Sequence, residues 1–238
     1  VRLLGKHGIS VCGVTKAFLG LPDIANALLD AGVSGLADSR LENIQTMRRG
    51  AVDASMMLIR SPMISQASLV VQHVDTSLNT ELDVISELSK AACAQRRTHG
   101  VILMVELGDL REGIMPANLE AVVRRTRDLP NIAFQGIGTN LACRCGVAPS
   151  ATNMGELSRL ADALDATFGS IVATVSGGNS SNLNWVLSGA DTGRINHLRL
   201  GEALLLGCEP LHRQPIEGLY TDAITLVAEV IECGTKPT

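Results

Sequence analysis

Aromatic side chains are nearly absent from this chain, with one Trp, one Tyr and three Phe making up 2 % of 238 residues. So few rings cannot build platforms on which nucleotide bases stack. There is no basic excess either, since Lys+Arg 20 stand against Asp+Glu 24 for a net charge of −4. Nucleic acid is therefore not an expected partner. No run approaches the roughly 18 to 20 consecutive apolar residues needed to span a bilayer, and the opening Val-Arg-Leu-Leu-Gly-Lys-His is not built like a signal sequence. The expectation is a cytoplasmic protein without a membrane partner. Disulfide scaffolding is also missing: Cys12, Cys93, Cys143, Cys145, Cys208 and Cys233 are scattered through apolar segments and read as free thiols in a reducing compartment. Cys143 and Cys145 form the one close pair, and a two-thiol site needs further ligands, so they are read as structural and no metal is expected.

What is present is apolar and regular. Hydrophobic residues make up 46 % against 18 % charged, enough for a sizeable core. Short β-rich runs recur at Val11 to Lys16, Gly35 to Arg40, Met56 to Arg60, His73 to Leu78, Val101 to Leu107, Phe134 to Asn140, Ala173 to Gly177 and His197 to Leu200. Their interiors are mostly apolar rather than alternating, as strands buried on both faces of a parallel sheet require. Helical spacing fills the gaps. Pro22 and Asp23 open a helix that Gly32 stops, and Leu82, Ile85, Leu88 and Ala92 share one face. Pro116 opens another whose later turns carry Arg124, Arg125 and Arg127, and a fourth runs from about Asn153 to Phe168. Eight strand signals, each followed by a helix-like segment, predict an α/β fold: a parallel eight-stranded (β/α)8 barrel of the TIM type. A doubly wound open sheet is the competitor.

In such a barrel, chemistry sits at the C-terminal ends of the strands. Lysine is scarce, with Lys6, Lys16, Lys90 and Lys236 the full set, and Lys16 alone closes a strand. Facing an apolar wall it would be a desolvated amine suited to nucleophilic or Schiff-base chemistry; as a rim residue it would only reach out to solvent. Asp38 and Arg40, Arg60, Asn79 and Glu81, and Asn140 stand at other strand ends, where several of them fit rim salt bridges. After the fifth strand, Glu106, Asp109, Arg111 and Glu112 cluster, and Arg111 either points a fixed fork at an anion or lies solvated in a loop. The turn Ser176-Gly177-Gly178-Asn179-Ser180-Ser181 runs into a helix-like stretch, and Arg199-Leu200-Gly201-Glu202 follows strand eight. Glycines at both turns let the backbone approach a ligand, and this pair of loops is a frequent phosphate site in barrels. A lysine at one end and a phosphate pocket at the other suit a phosphorylated aldehyde such as pyridoxal 5'-phosphate, or a sugar phosphate on a Schiff-base aldolase.

The stretches VTKAFLG at 14 to 20, ADSRLENI at 37 to 44, NTELDVI at 79 to 85, VILMVELGDLREG at 101 to 113, GIGTNLAC at 136 to 143, VSGGNSS at 175 to 181 and LRLGEALLLG at 198 to 207 resemble, in order, the alanine racemase family of barrel-fold pyridoxal-phosphate enzymes. They look closest to its alanine/ornithine racemase branch. The resemblance implies that Lys16 carries the cofactor as a Schiff base and then acts as base on the substrate Cα. It implies that Arg111 meets the phenolic oxygen, that Asn140 lies against the pyridine ring where alanine racemases have a histidine, and that Arg199 meets the pyridine nitrogen. Ser180, Gly201 and the Glu202 amide, with Asn179 adjacent, match phosphate ligands. Gly20 stands where a phosphate-holding tyrosine is usual, and Met104 replaces a lysine common in alanine racemases, which points to another substrate. Tyr220 matches no family motif.

The expected function is thus racemisation of a free amino acid with pyridoxal 5'-phosphate, in a homodimer. The alternatives are a cofactor carrier without turnover, or a Schiff-base aldolase on a phosphorylated substrate. Residues 1–220 are expected to form the barrel, preceded by the tail of a helix. Residues 221–238, with a strand over Ala223 to Cys233, are expected to begin a C-terminal β domain whose remainder, and the second base the family carries there, is missing.

Overall fold

The computed structural model describes residues 1–141 and 147–235; Cys143 and Cys145 lie outside the described residues. Its strands are β1 (Ser10–Val14), β2 (Gly35–Asp38), β3 (Met56–Leu58), β4 (Thr76–Asn79), β5 (His99–Val105), β6 (Ile132–Thr139), β7 (Thr174–Ser176) and β8 (His197–Leu200). They close into a barrel in chain order, and each neighbouring pair, including β8 with β1, is parallel. Closure rules out the open sheet.

The unbroken apolar runs have a direct explanation in the pleat. Along β5, Val101, Leu103 and Val105 join the large core shared with the helices, while the alternating Ile102 and Met104 join a small cluster inside the barrel. Val11 and Cys12, and Leu36 and Ala37, divide between outer and inner clusters in the same way. Met57 and Ile59 pack against both inner clusters, so β3 joins the two sides of the lumen. One residue of β6 is bulged: Phe134 pairs with Val101 and Gly136 with Ile102. Gly136 sits at φ +151°, and a Cβ there would run into the Thr174 carbonyl, so glycine is needed for β6 to approach β7.

The helices begin where the sequence signals them. Pro22–Asp30, Leu82–Gln95 and Leu119–Arg127 follow β1, β4 and β5, and a short helix over Arg2–Gly5 precedes β1. Ala151–Phe168 opens on a reciprocal cap, with the Ser150 amide donating to Asn153 Oδ1 at 2.8 Å and the Asn153 amide to Ser150 Oγ at 3.4 Å. Arg124 and Arg127 lie 4.9 and 5.2 Å from the Phe168 ring centre, so they also pin two helices together.

Three expectations change. Most strands stop earlier than expected, β1 at Val14 rather than Lys16, because the polar strand ends leave the sheet to make turns. Lys16 accordingly lies in a 3-10 turn, Lys16–Phe18, and is exposed rather than set in an apolar wall. Ala223 to Cys233 carries no strand: the segment is exposed, and no described strand pairs with it to supply a ladder.

Two buried histidines give a testable pH dependence. His99 accepts or donates at 2.7 Å with Ser77 Oγ, and His197 Nδ1 lies 2.7 Å from Ser176 Oγ. Burial, the dominant cause in both, lowers His99 to about 4 and His197 to about 3, with Arg199 adding its repulsion at His197. The folded state therefore keeps both rings neutral at pH 5, while the unfolded chain protonates them below about 6.5. The unfolded state binds more protons in that window, so stability falls with falling pH, by roughly 2 kcal/mol per histidine between pH 6.5 and 5. Urea midpoints at pH 7 and pH 5 check this, and His197→Asn is expected to halve the drop.

Candidate active site

All eight residues singled out from the sequence, Lys16, Arg111, Asn140, Asn179, Ser180, Arg199, Gly201 and Glu202, line one cavity of about 380 Å³ at the C-terminal ends of the strands. It falls within the range of small-molecule sites. The residues come from the ends of β1, β5, β6, β7 and β8, so the cavity exists only because the sheet is closed.

Lys16 is aimed by its neighbour. Thr15 is fully buried; its amide donates to the Ala37 carbonyl at 2.8 Å and its hydroxyl to Asp38 Oδ2 at 2.7 Å. Asp38 Oδ1 in turn accepts from the Arg40 amide at 2.9 Å and Asn43 Nδ2 at 3.0 Å. Asp38, one of the polar strand ends noted in the sequence, is thus a buttress under Lys16 and not part of the cavity wall. Asn79 is likewise buried and bonded to Ser77.

The floor is cationic. Arg199 is buried, with Nη1 donating to Ser176 Oγ and Nη2 to the Thr139 carbonyl at 2.8 Å. Because the arginine donates to it, Ser176 keeps its own proton available to donate to His197 Nδ1. Burial lowers Arg199 to about 10, with Cys12 and Glu112 opposing, so the guanidinium keeps its charge at neutral pH. The same burial pushes the Cys12 thiol up to about 12 against the pull of Arg199, leaving it protonated. Sequence reasoning missed Ser176 and His197 as supports; their signal was only that they lie three and two positions before the site residues Asn179 and Arg199.

At the other end, three loops are laced together. Asn179 Nδ2 donates to Asn140 Oδ1 at 3.1 Å and to the Leu141 carbonyl at 2.8 Å, while its Oδ1 accepts from the Ser181 amide at 2.9 Å. Ser180 Oγ accepts from the amides of Gly201 and Ala203 at 3.4 and 3.2 Å, tying the turn after β7 to that after β8. A Cβ on Gly201 would press on Val14 at 3.1 Å, so the close passage of this turn over β1 favours glycine. Buried Ser181 Oγ has no hydrogen-bond partner among the described residues. Glu202 begins the helix Glu202–Leu206, lines the cavity and pairs with Arg213 through its side chain. Such hydroxyls and turn amides form a donor set for a phosphate.

Arg111 is more loosely held. Its side chain is 58 % exposed, with Nη1 3.7 Å from Asp109 Oδ2 and Nη2 3.5 Å from Glu112 Oε2. Neither contact is short enough to be a hydrogen bond, so the fork can turn to a ligand. Glu106 Oε1 shapes the loop by accepting from the Gly108 and Leu110 amides at 2.5 and 3.1 Å. Burial raises the Asp109 carboxyl above its usual range, Arg111 opposing and Glu112 and Glu106 adding. Arg60, Ser61 and Glu112 also line the cavity. Tyr220 does not, and is 80 % exposed.

A parallel barrel thus gathers an accessible lysine at β1, a buried arginine on the floor and a polar cradle across β7 and β8 at one end of its strands. The family model of the alanine racemase N-terminal domain matches residues 1–209, and the chain belongs to that family. It is 36 % identical to the ornithine racemase of Acetoanaerobium sticklandii over 99 % of this chain and 67 % of that one. The lysine racemase of Thermotoga maritima is 32 % identical over 100 % of this chain and 66 % of its own. An alanine racemase structure from Clostridium difficile 630 superposes with a TM-score of 0.73 at 18 % identity, covering 92 % of this chain and 56 % of its own. The chain thus spans about two thirds of the length of the two curated relatives and little more than half of the alanine racemase chain.

Proposed function

We propose that this chain is the cofactor-binding part of a pyridoxal-phosphate-dependent amino-acid racemase acting on a free diamino acid of the ornithine or lysine kind. One observation carries the reading: Lys16 and the β7–β8 cradle share a cavity in a chain that is similar over its whole length to an ornithine and a lysine racemase. Met104 on the wall, in place of the lysine common in alanine racemases, supports a substrate other than alanine. The carrier and aldolase alternatives lack such support.

The residues fit the cofactor. Ser180, Gly201, the Glu202 amide and Asn179 would hold its phosphate, Asn140 would lie beside its ring, Arg111 would meet its phenolic oxygen, and Arg199 its ring nitrogen. When bound, the group supplies an aldehyde for amines and an electron-withdrawing ring that eases loss of a Cα proton. Lys16, as the one primary amine of the cavity among the described residues, would take the Cα proton from one face. A second acid returns a proton on the other. Arg199 can only donate hydrogen bonds, so it would keep the ring nitrogen an acceptor and favour simple proton transfer.

The apolar side chains Leu19, Met63, Leu110 and Met115, exposed on loops at the strands' C-terminal ends, support a homodimer that covers this face. Exposed Leu226, Val227, Val230 and Ile231 support residues 221–238 as the start of a second domain. Cys12, Cys93, Cys208 and Cys233 are free, in keeping with a cytoplasmic setting, and no described helix is long and apolar enough to cross a membrane.

The test is incubation of cofactor-loaded protein with L-ornithine and L-lysine in deuterium oxide. Loss of optical rotation with one deuterium entering Cα is expected. Cofactor binding without Cα exchange for any amino acid would select the carrier.

A further inference from the structure

Four cations line the cavity: Lys16, Arg60, Arg111 and Arg199. Three are accounted for. Arg199 is held by Ser176 and Thr139, Arg111 lies between Asp109 and Glu112, and Lys16 is the amine that bonds the aldehyde. Arg60 alone among these guanidinium groups has neither an ion pair nor a hydrogen bond with any described residue.

Its backbone, by contrast, is well placed. The Ile59 amide donates to the Asp38 carbonyl at 2.9 Å, which prolongs the pairing with β2, and the Ile59 side chain packs against both clusters in the lumen. Pro62 just beyond is buried, so the stretch is pinned on either side of Arg60. Ser61 lines the cavity beside it.

Topology gives this arginine a direction. The barrel closes in the order β1 to β8, so the cradle on β7 and β8 lies to one side of β1 and Arg60, at the end of β3, lies to the other. A molecule anchored by phosphate at β7 and β8 and joined at Lys16 leaves the β2–β3 side of the cavity for whatever becomes attached next. A free amino acid brings one anion there, its carboxylate. A planar guanidinium meets a carboxylate through two parallel hydrogen bonds, which fixes orientation as well as position.

We propose that Arg60, with the Ser61 hydroxyl beside it, is the anchor for the substrate's α-carboxylate. Held there, the carboxylate is turned away from the phosphate cradle, and rotation about the bond between nitrogen and Cα is restricted so that the Cα hydrogen can face Lys16. The assignment rests on the amino-acid racemase reading, and it makes Arg60 a substrate-binding residue rather than a rim charge.

The experiment compares L-ornithine with 1,4-diaminobutane, the same diamine without the carboxylate. Each is titrated into cofactor-loaded full chain, wild type, Arg60→Met and Arg60→Lys, following visible absorbance. Arg60→Met is expected to weaken ornithine by about 10- to 100-fold, as for loss of a charged hydrogen-bond pair. Diaminobutane is expected to change by less than about twofold, since it has no carboxylate to lose. Arg60→Lys should recover part of the loss, and uptake of the cofactor should be the same in all three. Equal weakening of both amines, unchanged ornithine binding, or impaired cofactor uptake in Arg60→Met would overturn the assignment while leaving the racemase reading intact. Wild-type protein that takes up the cofactor but responds to neither amine would remove the reading and the assignment together.

Discussion

Lys16→Ala is expected to abolish racemisation, by at least about 10³-fold, because in the proposed reaction it deletes both the covalent anchor and the base on one face of Cα. The magnitude follows from the cavity's composition. Lys16 is the single primary amine on the wall, and the other three cations are arginines, which stay protonated and cannot replace it as nucleophile or base. The fold should survive the change, since the side chain is exposed and makes no hydrogen bond with the described residues. Thr15 and Asp38, which shape the turn, are untouched. The measurements are circular dichroism for the fold, borohydride trapping for the adduct, and Cα exchange for chemistry. A trapped adduct in the variant, or residual exchange within tenfold of wild type, would place the reacting amine elsewhere.

Arg199→Gln is expected to lower racemisation by about 10²-fold and to raise the share of keto-acid product at the same time. A guanidinium offers donors only, whereas an amide offers donors and an acceptor, so the variant no longer forces the group above it to accept. Reaction paths that place negative charge on the ring are then less disfavoured. The shorter side chain also leaves Ser176 Oγ or the Thr139 carbonyl without its present partner, which costs about 1–3 kcal/mol of stability for a buried group. Chiral chromatography and keto-acid assay of the same reaction give both rates, and a lowered urea midpoint gives the third. A variant with slower racemisation and no gain in keto acid would mean that Arg199 only fills the floor.

Much of the fold was legible because it is local. The alternation of apolar runs with helical stripes named all eight strands, and His197–Leu200 is matched to the residue. Pro22 and Pro116 marked helix starts through chemistry confined to one turn. Strand ends were less legible. A polar residue after an apolar run, as in Val14-Thr15-Lys16, continues the strand or leaves it depending on whether a neighbour accepts its hydrogen bonds, and here Asp38 draws Thr15 out. Ala223 to Cys233 has the composition of a strand but no partner edge among the described residues, and composition alone makes no ladder.

The site divides in the same way. Lys16, Arg111, Asn140, Asn179, Ser180, Arg199, Gly201 and Glu202 could be named from strand-end position and family stretches, and they do line one cavity. Their supports could not be named. Asp38 read as a rim charge and is a buried brace; His197 read as part of a strand and stands behind Ser176; Arg60 read as one polar end among several and is the guanidinium left without a partner. The scarcity of aromatic residues keeps its force, since the one tyrosine lies off the cavity wall and proton donors on the second face must be sought elsewhere.

The sequence by itself determined the barrel, its strand count and the position of the one strand-end lysine, because periodicity, helix-opening prolines and a lone strand-end amine act over a few residues. The tertiary structure decided which polar groups brace one another and which face the cavity free. That depends on closure, which brings Lys16 and Glu202 to one wall and sets Arg60 across from the polar turns after β7 and β8, and no local pattern encodes who faces whom across a closed sheet.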